Sequence, residues 1–153
     1  MKVIFLDVDG VLNSRATRAK SPSGFVGIGD VFVRQLSELV AETGAKIVLS
    51  SDWKDGWEQK HRTGKYLEDK LAKYGLSVFA RTYDSDYRKR GQGICDYLEG
   101  KNIEGYVILD DRNFDFIEAG LEAHFVRIDA RYGLRDCDIH RAKQIINNEL
   151  CGK

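Results

Sequence analysis

The sequence has no run approaching the ~20 apolar residues that a membrane-spanning helix needs, and a leader of the secretory kind is not expected. Its opening, MKVIFLDVDG, puts acids where a signal peptide carries its apolar stretch. A cytoplasmic location with no membrane partner is the expectation. Cysteine is scarce: Cys95, Cys137 and Cys151 are odd in number and unrelated in spacing, which fits neither a disulfide framework nor a zinc site. Net charge is missing as well, because Lys plus Arg and Asp plus Glu both count 24. Any preference for a polyanion must therefore come from local charge distribution. There is no internal repeat, low-complexity tract or linker, and His61, His124 and His140 are scattered without ligand spacing.

What is present is enough for one packed core. The chain has 153 residues, 42% of them hydrophobic and 31% charged, which is the profile of a soluble globular domain. Residues 2–8, KVIFLDV, suit a strand buried on both faces. Asp30 is placed to cap a helix whose Phe32, Leu36, Leu39 and Val40 recur at helical spacing and which Gly44 stops. A second strand is expected over 46–50, a helix over 64–74 ended by Gly75, and a third strand over 76–80. A helix over 92–99, strands over 105–109 and 123–128, and a closing helix over 136–150 capped by Asp136 complete the pattern. Strands alternating with helices imply a parallel sheet covered on both faces. In such folds ligands bind beyond the carboxyl ends of the strands.

Those strand ends carry the polar chemistry. Asp7 and Asp9 leave the first strand two positions apart, and two carboxylates so close need a cation or a shared proton. One such group can attack phosphorus while the other protonates a leaving oxygen and then activates water. Gly10 lets the backbone turn and leaves room for a phosphate near the amides. Ser50 and Ser51 end the second strand with hydroxyls suited to phosphoryl oxygens, followed by Asp52, Trp53 and Lys54. Asp110 and Asp111 end the fourth strand, with Asp115 a turn later, as hard oxygen donors for Mg²⁺. Arg88, Lys89 and Arg90 place cations at the start of a helix, where they offset crowded carboxylates and a transferring phosphoryl group.

DVDGV at 7–11, Ser50, the basic residue at Arg90 and DD at 110–111 together resemble the haloacid dehalogenase-like (HAD) superfamily of phosphohydrolases. DVDGVLN, VLSSDWK, RGQGI, VILDD and the late Tyr132, Gly133 and Leu134 resemble, more narrowly, the small HAD domain of Swiss Army Knife RNA repair proteins. The resemblance implies an α/β, three-layer Rossmann-like fold with five parallel strands in the order 5-4-1-2-3. It implies a Mg²⁺-dependent phosphomonoesterase with Asp7 as nucleophile and Asp9 as general acid and base. Mg²⁺ would be held by Asp7, the Asp9 carbonyl and the pair Asp110 and Asp111. Ser50 would bind phosphoryl oxygens, and Arg90, with Lys89 as alternate, would take the basic role. A phosphoryl transferase or mutase, and a non-catalytic phosphate-binding module, are the alternative functions.

The gap over residues 12–29 holds only a short flap, so residues 1–153 are expected to form a single, essentially capless domain. An open site admits a macromolecular phosphate. Arg15, Arg18 and Lys20 on the flap, with Lys54, Lys60, Arg62, Lys65, Arg88, Lys89 and Arg112 on other loops, give a local basic rim, and Trp53, Trp57, Tyr83 and Tyr87 are candidates to stack bases. The phosphorylated substrate itself is not fixed by the sequence, and a nucleotide or nucleic-acid end is one alternative beside a small ester. Gly10, Ser51, Lys54, Arg15 and Trp53 are its candidate contacts.

Overall fold

Residues 1–148 are described by the computed structural model. Five strands, β1 (Lys2–Leu6), β2 (Lys46–Leu49), β3 (Val78–Arg81), β4 (Gly105–Asp110) and β5 (Phe125–Arg127), form one parallel sheet in the order β3-β2-β1-β4-β5. This is the expected order read from the opposite edge. The helices are α1 (Asp30–Thr43), α2 (Lys54–Glu58), α3 (Arg62–Ala72), α4 (Arg90–Leu98) and α5 (Asp136–Ile146), with a single 3-10 turn, Glu122–His124, before β5. None of these helices is long and apolar enough to cross a membrane.

The pleat divides the core in two. Ile4 and Leu6 of β1, with Ile47, Leu49, Val107 and Leu109, pack against Leu36 and Leu39 of α1, Leu67 and Leu71 of α3, and Ile139 and Ile145 of α5. Val3 and Phe5, with Val48 and Ile108, face the other way onto Ile94 of α4 and onto Phe116 and Leu121. The period of two along each strand therefore decides which layer each side chain joins. Phe5, fully buried, meets Tyr97 and Tyr106 edge-on at centroid distances of 5.7 and 5.8 Å.

Several boundaries differ from the sequence expectation for identifiable reasons. Gly29, not Asp30, is the N-cap of α1, because the Asp30 carboxylate is drawn to Lys70 of α3 (3.1 Å) and to Lys73 at its C-cap (2.8 Å). Arg135, not Asp136, caps α5, and Asp138 one turn in accepts the Arg135 N–H at 2.9 Å. The short helix α2, with Trp57 and Gly56 inside it, carries no periodic signal and was not expected. Helix α4 starts at Arg90 rather than at residue 92 because the Asp115 carboxylate receives the N–H groups of Gly91 (2.6 Å) and Gln92 (3.1 Å). Asp115 is thereby a cap for that helix rather than a neighbour of the other acids.

The flap over 12–29 contains only an isolated antiparallel bridge between Lys20 and Val26. It is tied to α3, where Tyr66 Oη accepts the Ile28 N–H at 3.0 Å. Cys95 and Cys137 are free thiols, while Cys151 and the expected helical residues 149–150 lie outside the described residues. His124 stacks on Tyr106 at 3.8 Å, and His61 and His140 are exposed.

Truncating Phe5 to Ala in this two-sided core is expected to lower the unfolding free energy by about 3–5 kcal/mol in urea titrations. Phe79→Ala, at a half-exposed position, should change it by less than about 0.5 kcal/mol. Equal effects would contradict the burial assignment.

Candidate active site

The register of the sheet builds the site. Leu6 pairs with both Leu49 and Leu109, and Leu49 pairs with Arg81. One position further on, Thr82, Ser50, Asp7 and Asp110 therefore lie in a row across four strands. The ladder continues through them: Thr82 N donates to Leu49 O (3.0 Å), Ser50 N to Leu6 O (2.9 Å), and Asp7 N to Leu109 O (3.0 Å). Because Phe5, Val48 and Ile108 two positions earlier face the α4 layer, alternation turns this polar row toward α4. All four residues are buried, Ser50 and Asp110 completely.

Helix α4 answers with a cation. Arg90, its first residue, directs Nη1 to Asp7 Oδ1 (3.1 Å) and Asp110 Oδ2 (2.7 Å), and Nη2 to Asp52 Oδ1 (3.2 Å). Its guanidinium lies 4.3 Å over the Phe114 ring. Lys89, the alternate basic residue, is exposed at the N-cap of α4. Arg90 is thus the one that turns inward, and its side chain is only 5% exposed.

One guanidinium does not neutralise the acids around it. Asp7, Asp110 and the half-buried Asp111 bring carboxylate oxygens within 4.8 Å of one another. Burial pushes the Asp7 carboxyl well above its ordinary range, Asp110 and Asp111 push it further, and Arg90 pulls against them. Burial likewise raises Asp110 to about 6, against the opposing pull of Arg90 and of the Arg112 N–H. Three clustered hard oxygens with a deficit of positive charge fit Mg²⁺, which prefers carboxylate and water ligands. Among the described residues this is the one such group of acids.

Asp9 stands apart from that group. It is exposed, and its two oxygens accept hydrogen bonds from Asn13 Nδ2 (3.1 Å) and Trp53 Nε1 (3.1 Å). Asn13 was not singled out from the sequence, yet it is buried and also accepts the Gly10 N–H (2.8 Å) and donates to Gly27 O (3.0 Å). Its only signal was its place at the end of DVDGVLN. Gly10 has φ +83°, and a Cβ there would fall 2.5 Å from Asp111 Oδ2. Only glycine permits that turn so close to the carboxylate.

The remaining candidates divide. Ser51 is buried beside the site, its Oγ accepting the Trp53 N–H at 3.1 Å. Among the described residues, Ser50 Oγ and Thr82 Oγ1 are buried without a hydrogen-bond partner. Lys54 is not brought to the site: it is buried, with Nζ 2.8 Å from Asp84 Oδ2 and donating to Ser51 O at 3.3 Å. It braces the loop after β2 against the loop after β3. Arg15 is exposed and lines a neighbouring cleft with Asp111. The expected basic rim is likewise dispersed, with Arg88 paired to Asp86 and Lys60 and Lys65 beside a separate cavity of about 600 Å³ between α2 and α3. Trp53 and Trp57 pack on the core, and of the four aromatics proposed to stack bases only Tyr87 lines the acid-containing cavity.

That cavity measures about 140 Å³ and is bounded by Asp7, Asp9, Ser51, Arg90, Asp111 and Arg112, among others. Pockets that enclose a drug-sized ligand run from about 300 to 1,000 Å³. There is room for a phosphoryl group and a small cation, and the rest of any substrate must lie outside. The family model described as the HAD domain in Swiss Army Knife RNA repair proteins matches residues 3–139. No curated protein matches the chain.

Two outcomes follow from these electrostatics. Folded Asp110 holds its proton up to about pH 6 while the unfolded chain releases it near 3.8, so the folded state binds more protons in that window and loses stability as pH rises through it. In chelator, wild type should therefore lose stability relative to Asp110→Asn between about pH 4 and about pH 7; a pH-independent difference in urea midpoints would refute this. Asp84→Asn, which strands the Lys54 ammonium in the interior, should cost about 3–5 kcal/mol. The double replacement Lys54→Met with Asp84→Leu should recover much of that loss.

Proposed function

Because the chain belongs to the family of HAD domains in Swiss Army Knife RNA repair proteins, we propose that it is a Mg²⁺-dependent phosphomonoesterase acting through an aspartyl phosphate on Asp7. Phosphoryl transfer is the chemistry of the wider family, and the specific reaction is read from this chain's own residues. The observation that carries it is the contrast between the two aspartates: Asp7 is buried and gripped by Arg90, while Asp9 is exposed and held only by Asn13 and Trp53. Burial alone would favour a protonated Asp7, but Arg90, and Mg²⁺ where the clustered acids hold it, would keep Asp7 ionised for attack. Asp9, at the exposed side, can exchange a proton with solvent and leaving group.

In this reading the Asp7 carboxylate attacks phosphorus, an acyl phosphate forms, and the P–O bond to the leaving group breaks. Asp9 in its acid form delivers a proton to the departing oxygen. The same group, now a carboxylate, takes a proton from water as that water attacks the phosphoryl group, which releases inorganic phosphate and restores Asp7. Arg90 keeps Asp7 oriented and opposes the protonation that burial favours. Ser51, which lines the cavity, and Ser50, whose buried hydroxyl has no hydrogen-bond partner among the described residues, would donate to phosphoryl oxygens. Asp7, Asp110 and Asp111 would hold Mg²⁺, which supplies positive charge against the transferring phosphoryl oxygens.

The substrate class we favour is a nucleotide or nucleic-acid end. The cavity of about 140 Å³ leaves the body of the substrate outside, and the family's description refers to RNA repair. Phosphate release should require Mg²⁺ and stop in chelator. Asp7→Asn should abolish it, and Asp9→Asn should lower kcat by roughly 10² to 10⁴ with a smaller change in KM. Activity persisting in Asp7→Asn would remove Asp7 as nucleophile. In a panel of 5′- and 3′-phosphorylated oligonucleotides, mononucleotides and sugar phosphates, faster turnover of the mononucleotides would rule out a nucleic-acid end, and label carried to an acceptor other than water would identify a transferase.

A further inference from the structure

On the far side of Asp111 from the acid-containing cavity lies a second cleft of about 390 Å³, lined by Arg15, Arg127, Asp129 and Arg131 together with Asp111 itself. Asp111 borders both spaces, so the two adjoin at that residue. The charges in this cleft are not equally committed. Arg131 is spent on Asp129, with Nε at 3.0 and 3.2 Å and Nη2 at 2.7 Å from its carboxylate oxygens. Asp111 belongs to the acidic group around Asp7. Arg127 uses only Nε, donated to the Asp111 carbonyl at 3.3 Å, and its two terminal nitrogens have no partner among the described residues.

Arg15 is freer still. Its backbone is fixed by an N–H donated to Ala130 O at 3.3 Å, and among the described residues its guanidinium makes no hydrogen bond or ion pair. Two guanidiniums, one from the flap and one from the end of β5, thus border one cleft with unused donors. Planar forks of this kind match the oxygens of a phosphate better than any other common anion except a carboxylate. A substrate whose reacting group fills the small cavity at Asp7 must leave it across the surface, and this cleft adjoins that cavity at Asp111 and carries uncommitted positive charge.

We propose that Arg15 and Arg127 form a subsite for a second phosphate of the substrate, across Asp111 from the phosphate that reacts at Asp7. This rests on the reading of Asp7 as the seat of the reacting group. The second phosphate has two sources with the same chemistry: the first phosphodiester of a nucleic-acid chain, or a second monoester on a small bisphosphate. Either way the subsite selects substrates with two phosphates over those with one, and it does so without enclosing the base or sugar.

The test is equilibrium binding in an Asp7→Asn background with Mg²⁺, where turnover does not interfere. Adenosine 5′-monophosphate, adenosine 3′,5′-bisphosphate and the 5′-phosphorylated dinucleotide pApA are compared by calorimetry. At least one of the two-phosphate ligands should bind roughly tenfold or more tightly than the monophosphate. That gain should vanish when Arg15→Gln and Arg127→Gln are added, and persist with Arg34→Gln, an equal loss of charge on the exposed side of α1. A gain confined to pApA assigns the subsite to a phosphodiester, and one confined to the bisphosphate assigns it to a terminal phosphate. Equal affinities, or a gain that survives both arginine substitutions, overturn the proposal. If the gain appears as expected but the wild-type protein releases no phosphate from any of the three, the hydrolytic reading fails and the subsite stands.

Discussion

The contact on which the rest of the site depends is the grip of Arg90 on Asp7 and Asp110. Without a cation between them, two buried carboxylates on adjacent strands would repel at short range in a medium that screens poorly. The guanidinium is delivered by the first turn of α4, and that turn is itself pinned by the Asp115 carboxylate on Gly91 and Gln92. Gly91 is needed there, since a Cβ would sit 2.8 Å from Asp115 Oδ1. Phe114 below the guanidinium closes off water from one side. The acids, the helix start and the loop after β4 thus hold one another, and none of these positions can change without consequence for the others.

How much of this the sequence disclosed depended on the kind of signal. The five strands were legible because buried parallel strands leave continuous apolar runs, as in KVIFL and YVILD, while their order came only with the family resemblance. Asp7, Ser50 and Asp110 were legible as polar residues that end those runs, and Arg90 as a cation at the start of a helix. Helix α2 was not, because it is short and packs through Trp57 rather than through a periodic stripe. Lys54 was misplaced for a related reason: a lysine just after a strand end looks substrate-facing, and its burial depends on Asp84, 30 residues away. Asp30 and Asp136 looked like caps by residue type, but long-range pairing in one case and a one-residue offset in the other decided the outcome. Thr82 had no local feature at all. It joins the polar row only through strand pairing, which a single sequence does not display.

The flap and the loops around β5 behave differently from the sheet edge. They carry exposed cations and little regular structure, one bridge in the flap and the 3-10 turn before β5, yet Tyr66 and the Arg15 backbone bond anchor them at discrete points. Asn13 links the two regimes, joining Asp9, Gly10 and Gly27 in one hydrogen-bonded knot. Movement of the flap is therefore coupled to Asp9 through a single buried amide.

The row of Thr82, Ser50, Asp7 and Asp110 has a further implication. Its members sit on neighbouring strands, so their separation is the repeat of the sheet itself, about 4.8 Å. The sheet acts as a ruler, and the reacting groups are ticks on it. No point mutation can lengthen or shorten those intervals while the backbone ladder is intact. Divergence in such a scaffold is channelled into the loops beyond the ticks, where a new arginine or a longer flap changes what is recognised and leaves the spacing of the chemistry untouched.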